Sequence, residues 1–216
     1  MQSDLMRQLS TGPITRIEQL IVKRLAPLVP PSITPNTISI AAGVAGILSG
    51  VCYVLASKWR VMLFAASFFF FLHWIGDALD GAVARHFNTS SKTGFYLDHM
   101  FDTVTVCAVC VGIYFSNITE TALPLIFALL YLILEINILL KAVIFGTFKI
   151  SVSAFGPAEL SFWIIITTTL IFFFPRIFGF ASGDIAAFVV VLMAFPSFFS
   201  VFFKTIKQVR ILDRKS

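Results

Sequence analysis

Four aspartates stand within one twenty-six-residue stretch, Asp77 to Asp102, which reads DALDGAVARHFNTSSKTGFYLDHMFD. The stretch lies between apolar runs of membrane-spanning length, and an ionised carboxylate in or beside hydrocarbon must be compensated by cations or water. If the apolar run ending near Ile75 continues as helix, then Asp77, Asp80, Gly81, Ala84 and Arg85 fall at i, i+3, i+4, i+7 and i+8, on one face. Asp98 and Asp102, at i and i+4, share a face of the helix that follows. Two such helices facing each other would bring four carboxylates into one small volume, where divalent metal would relieve their repulsion. Oxygen-only donors favour Mg²⁺, Mn²⁺ or Ca²⁺ over zinc. Gly81 and Ala84 leave room for a ligand to approach the backbone, and Arg85 offers a planar fork suited to phosphate. Metal, arginine and small residues together predict a phosphate-bearing substrate.

The elements that must position these residues are legible from hydropathy. The chain has 216 residues, of which 58% are hydrophobic and 25 are Phe, and this excludes an ordinary soluble domain. The expected fold is an all-α integral membrane protein with six transmembrane helices and an N-terminal amphipathic juxtamembrane helix. That amphipathic pattern recurs at Ile14, Ile17, Ile21, Leu25 and Leu28, with Arg16, Glu18, Lys23 and Arg24 between, and Pro30, Pro31 and Pro35 close it. It lies in the headgroup plane or packs on the membrane domain.

The first span, about 37–55, has Asn36 placed as its cap, and within it Gly46 and Gly50 permit close helix approach, read as packing inside one chain in preference to a dimer face. The second, from Val61 through Ile75, carries the motif helix out to Arg85, and the polar segment His86 to Thr93 is a loop. The third runs from near Gly94 to Phe115, with Asp98 and Asp102 near its start; the fourth covers about 122–144 and contains Glu135; the fifth covers 158–174 and the sixth about 185–203. In domain terms, residues 1–36 form an N-terminal cytoplasmic segment, 37–203 the membrane domain, and 204–216 a basic tail.

Charge orients these spans. The N-terminus, the motif loop, the segment after the fourth span and the tail hold thirteen of the sixteen Lys and Arg residues, against Lys58, Arg60 and Arg176 on the other side. The positive-inside tendency then places both termini and the acidic site in the cytoplasm, at a bacterial inner membrane or an endomembrane. The net charge of +5 is scattered beside apolar runs, which fits membrane lipids as partners and not nucleic acid. Cys52, Cys107 and Cys110 lie in apolar segments without metal-ligand companions and read as packing residues. No cleavable signal peptide is evident in the first thirty residues. The sequons at Asn88 and Asn117 read as coincidental, one in the cytoplasmic loop and one against the membrane.

Asp77-x2-Asp80-Gly81-x2-Ala84-Arg85-x8-Gly94-x3-Asp98-x3-Asp102 reproduces the signature of the CDP-alcohol phosphotransferase family, and the chain resembles that family through this stretch and, in hydropathy, through most of its length. The resemblance implies that an acceptor hydroxyl displaces CMP from a CDP-alcohol in phospholipid biosynthesis. It implies Mg²⁺ or Mn²⁺, as two ions, held by Asp77, Asp80 and Asp98. The fourth aspartate, Asp102, would bind metal, act as general base, or both. Gly81, Ala84, Arg85 and Gly94 would line the CDP pocket, and a homodimer is the family habit. A divalent-cation transporter or channel is the competing class, but it gives no reason for Gly81, Ala84 and Arg85 at their offsets.

Within the family, Gly94-Phe95-Tyr96-Leu97-Asp98-His99 followed by Asp102 is similar to the G-E-L-F-D-H-x-x-D run of choline and ethanolamine phosphotransferases, which makes His99 a second candidate base. Gly146-Thr147 and Gly156-Pro157-Ala158-Glu159 look like that branch's T-G and G-P-x-E-G elements; Phe95, Leu160 and the shorter chain depart from it. Glu159 otherwise reads as the cap of the fifth helix. Lys141 and Lys149 follow the fourth span, where branches using CDP-diacylglycerol bind phosphorylated acceptors; as snorkelling lysines they need no ligand.

Overall fold

The computed structural model describes residues 12–145 and 157–213. Over these the chain forms α1 (Pro13–Leu25) with a short 3-10 turn (Ala26–Leu28), α2 (Pro35–Ala56), α3 (Met62–His86), α4 (Lys92–Phe115), α5 (Leu123–Phe145), α6 (Pro157–Phe173), a two-residue hairpin of β1 (Arg176–Ile177) and β2 (Phe180–Ala181), and α7 (Ser182–Asp213). Among the described residues, α2, α3, α4 and α5 are long and apolar enough to cross a membrane. The fifth and sixth expected spans are shorter as apolar helices, covering Pro157–Phe173 and Ser182–Met193. Large apolar side chains such as Ile40, Val44, Val51, Ile133, Leu140 and Val143 face outward, as hydrocarbon solvent permits.

α2 is the wedge on which the motif helices are set. Its cap is Thr34, whose Oγ1 accepts from Thr37 N at 3.2 Å, not the expected Asn36. Pro35, with φ preset for the first helical position and no N–H to satisfy, fixes the cap one residue ahead of itself. Against α4 the two backbones nearly touch: a Cβ on Gly50 would lie 2.5 Å from Ala108 O, and one on Gly112 would lie 2.4 Å from Gly50 O. Gly46 receives the Thr105 side chain, so the small-residue stripe is spent on packing within the chain, as expected. On its other side α2 meets α3, where Ser49 Oγ donates to Ala66 O at 2.9 Å.

The turn between the motif helices is tightly specified. After α3, Asn88 adopts φ 55°, Thr89 N donates to Ala84 O at 2.9 Å, and Asn88 N donates to Arg85 O at 3.4 Å. This is the doubly bonded helix ending that favours Gly or Asn in the left-handed position, and it accounts for the asparagine without glycosylation. Asn117, at φ 61°, follows α4 in the same conformation. Ser91 then caps α4, accepting from Gly94 N at 3.0 Å.

The remaining helices close around this unit. α5 packs on α4 and α7, while α6 packs on α3 and α1. Tyr53 and Thr168 share a 2.6 Å hydrogen bond that links α2 to α6, and Arg60 donates to the Ile171 carbonyl at the α6 C-terminus. Cys52 packs in the apolar core between α2, α3 and α6, and Cys110 is buried on α4 beside the site cavity. α7 runs unbroken to Asp213, so Lys204, Lys207 and Arg210 of the expected tail are helical; Arg214 and Lys215 lie outside the described residues.

Candidate active site

The helical spacing does what it promised. Asp77 and Asp80 on α3 and Asp98 on α4 each offer a carboxylate oxygen, and these oxygens lie within 4.8 Å of one another. Asp80 is buried, and Asp77 and Asp98 are half-buried. Three hard oxygen donors in so small and sheltered a space fit a divalent cation such as Mg²⁺ or Mn²⁺. Asp102 stands outside this triplet, beside Asp77, with His73 Nε2 at 3.8 Å from its Oδ1.

All the motif residues line one cavity of about 1730 Å³: the four aspartates with Gly81, Ala84, Arg85, Gly94 and His99. A Cβ on Gly81 would come within 3.1 Å of Arg85 Nη1, so the guanidinium lies across that glycine. Among the described residues Arg85 has no ion-pair partner, which leaves its fork available to an anion in the cavity. Beyond the acids the cavity continues along apolar faces of α5, α6 and α7, through Leu134, Ile164, Leu170 and Val189. A cavity with an acidic, arginine-bearing part and an apolar part suits a molecule with a charged head and a hydrocarbon body.

Several residues of this site were not visible as such in the sequence. Ser39 on α2 donates from Oγ to Asp80 Oδ2 and is itself buried. Asn36, released from capping, lines the cavity with its Oδ1 near Gly94. His73 Nδ1 meets Ala42 O at 3.1 Å, and because a carbonyl only accepts, that nitrogen carries the proton. His73 precedes Asp77 by one helical turn, and that spacing is the signal that could have found it. His99 Nδ1 lies 3.2 Å from Glu135 Oε1 of α5, an ion-pair contact between the two helices. Tyr131, one turn before Glu135, also lines the cavity.

Other residues singled out in the sequence lie beside the cavity or outside the described residues. Glu159 stands in the first turn of α6 and is buried, and its carboxylate also reaches α1, accepting from Thr15 N at 3.0 Å and Thr15 Oγ1 at 2.9 Å. Lys141 stands on α5 but is not part of the cavity wall. Gly146, Thr147, Lys149 and Gly156 lie outside the described residues.

Residues 32–203 match the model of the CDP-alcohol phosphatidyltransferase family. The chain belongs to that family. No curated protein matches the chain. As a CDP-alcohol phosphatidyltransferase family member it is a transferase, moving a phosphate-linked group from a CDP-alcohol to an alcohol or lipid acceptor in phospholipid synthesis. Membership decides between the enzyme and the cation channel in favour of the enzyme. The family uses divalent metal, and Asp77, Asp80 and Asp98 form the cluster able to bind it.

Proposed function

We propose that this protein transfers a phosphoaminoalcohol group from its CDP ester to the hydroxyl of diacylglycerol, in a reaction that requires Mg²⁺ or Mn²⁺. The observation that carries the reading is the convergence of Asp77, Asp80 and Asp98 with Arg85 and the small residues Gly81 and Ala84 in one cavity. Asp77, Asp80, Asp98 and Asp102 would hold two ions, which when bound supply positive charge to the pyrophosphate and to the oxygen that leaves. Arg85 binds phosphate through its fork where negative charge grows during transfer. Gly81, Ala84 and Gly94 let the nucleotide approach the backbone of both motif helices. The acceptor oxygen bonds to the phosphorus bearing the alcohol, the bond from that phosphorus to the CMP oxygen breaks, and the acceptor proton passes to Asp102 or His99.

The choice of phosphoaminoalcohol over phosphatidyl transfer rests on the run from Gly94 to His99 and on the placement of His99 in the cavity wall. Six crossings, a cytoplasmic mouth with both termini on that side, and a homodimer complete the proposal. The test is to offer purified protein several CDP-aminoalcohols with diacylglycerol, and CDP-diacylglycerol with several polar alcohols, and to identify the lipid product by mass. A product from the first set, lost on chelation, supports the reading. Product from CDP-diacylglycerol alone replaces it with phosphatidyl transfer.

A further inference from the structure

α5 is apolar for most of its length, LPLIFALLYLILEINILLKAVIF, and Glu135 is its sole acidic residue. A carboxylate in mid-span is costly unless another group answers its charge. The answering group is His99 of α4, whose Nδ1 lies 3.2 Å from Glu135 Oε1, with side chains 17% and 14% exposed. The same imidazole is held from its own helix by Phe95, one turn earlier, in an edge-on contact with ring centroids 4.4 Å apart. Both Glu135 and His99 border the cavity that contains Asp98 and Asp102.

We propose that Glu135 is a positioning residue, holding the His99 imidazole in one tautomer and one orientation on the cavity wall. The contact is an ion pair at 3.2 Å without hydrogen-bond geometry at Oε1, and the negative charge of Glu135 favours the forms of the ring that carry a proton on Nδ1 and turn that nitrogen toward α5. Phe95, edge-on against the same ring, limits its rotation. The arrangement brings α5 into the reacting region, although none of the motif residues lies on that helix. This inference rests on the reading that His99 acts on the acceptor hydroxyl, and it adds which group makes His99 competent to do so.

The experiment uses the full chain in detergent, with Glu135→Ala, Glu135→Gln, His99→Ala and the Glu135→Ala/His99→Ala pair. Glu135→Ala is expected to lower kcat about 10- to 100-fold, the usual cost of losing an orienting partner, while KM for the CDP-alcohol and the affinity for CMP stay within about twofold. Glu135→Gln, which keeps a polar oxygen beside Nδ1, restores part of the rate. The double variant is no slower than His99→Ala alone, because a positioning residue has nothing left to position. Independently of turnover, the chain has three histidines, so ¹⁵N-histidine spectra assigned with His99→Ala should show the His99 ring signals shifting in Glu135→Gln. Losses that multiply in the double variant, or His99 signals unmoved by Glu135→Gln, overturn the proposal for Glu135. Full turnover in His99→Ala also overturns the role given to His99, yet leaves CMP release by the wild type intact as the sign that the transferase reading itself holds.

Discussion

Ser39 of α2 donates its hydroxyl to Oδ2 of Asp80 on α3, while the same Oγ lies 3.2 Å from Pro35 O. The serine is buried, so it has no bulk water with which to exchange that partner. It sets which oxygen of Asp80 is turned toward Asp77 and Asp98 and which toward α2. Removing it leaves the carboxylate free to rotate away from the other two donors. Ser39→Ala should therefore raise the Mg²⁺ or Mn²⁺ concentration needed for half-maximal activity about tenfold or more, with Ser39→Thr much closer to wild type. Mn²⁺ binding followed by electron paramagnetic resonance without substrate should weaken in parallel. Unchanged metal affinity in Ser39→Ala would show that the hydroxyl serves helix packing alone.

Arg85 is the cationic side chain of the motif and lies across Gly81. Lysine keeps the charge but loses the two-pronged geometry that matches a phosphate. Arg85→Lys should raise KM for the CDP-alcohol about tenfold, near 1.4 kcal/mol of binding, and leave the metal requirement unchanged. Equal kinetics for the two cations would mean that the guanidinium does not contact the pyrophosphate.

Close packing of α2 on α4 holds the two motif helices at their separation. Gly50 has no room for any side chain, because the atom that a Cβ would meet is the Ala108 carbonyl, which can move only with the α4 backbone. Gly50→Val should cost about 1–3 kcal/mol, the usual penalty of overpacking, and spread Asp98 away from Asp77 and Asp80. Thermal unfolding in detergent measures the first effect, and loss of metal binding at temperatures where the variant is still folded measures the second.

What the sequence disclosed and what it withheld follow one physical division. The spans α2 to α5 and the shared faces of Asp77/Asp80 and Asp98/Asp102 depend on periodicities of 3.6 residues within single helices, which a sequence displays directly. The contacts of Ser39 with Asp80, Glu135 with His99 and Glu159 with Thr15 join residues from different helices, and no local pattern announces them. Asn36 and Thr34 are both good caps, and only the fixed φ of Pro35 decides between them in favour of Thr34. The sixth span was expected to end where the charges begin, yet lysine and arginine are good helix formers, and α7 simply continues through them.

α1 is docked through carboxylates, and this gives its attachment a pH dependence. Glu18 accepts from Trp74 Nε1 at 2.6 Å, and Thr15, Glu18 and Val22 form the α1 side of the cavity. Burial pushes the Glu18 carboxyl above the ordinary glutamate range; the Trp74 hydrogen bond opposes this, and the nearby charge of Glu159 adds to it. The docked state therefore holds the Glu18 proton more tightly than the undocked state. Docking is strongest below the ordinary glutamate range and weakens as pH rises from there through the raised value. Glu18→Gln keeps an acceptor for Trp74 and removes the titration. Hydrogen exchange over 13–25, corrected for intrinsic rates, should show wild-type protection falling as pH rises from the ordinary glutamate range through the raised value. The glutamine variant should show protection that is flat across that range and higher at its upper end. Wild-type protection that rises with pH would mean that the ionised carboxylate, and not the protonated one, holds α1 in place.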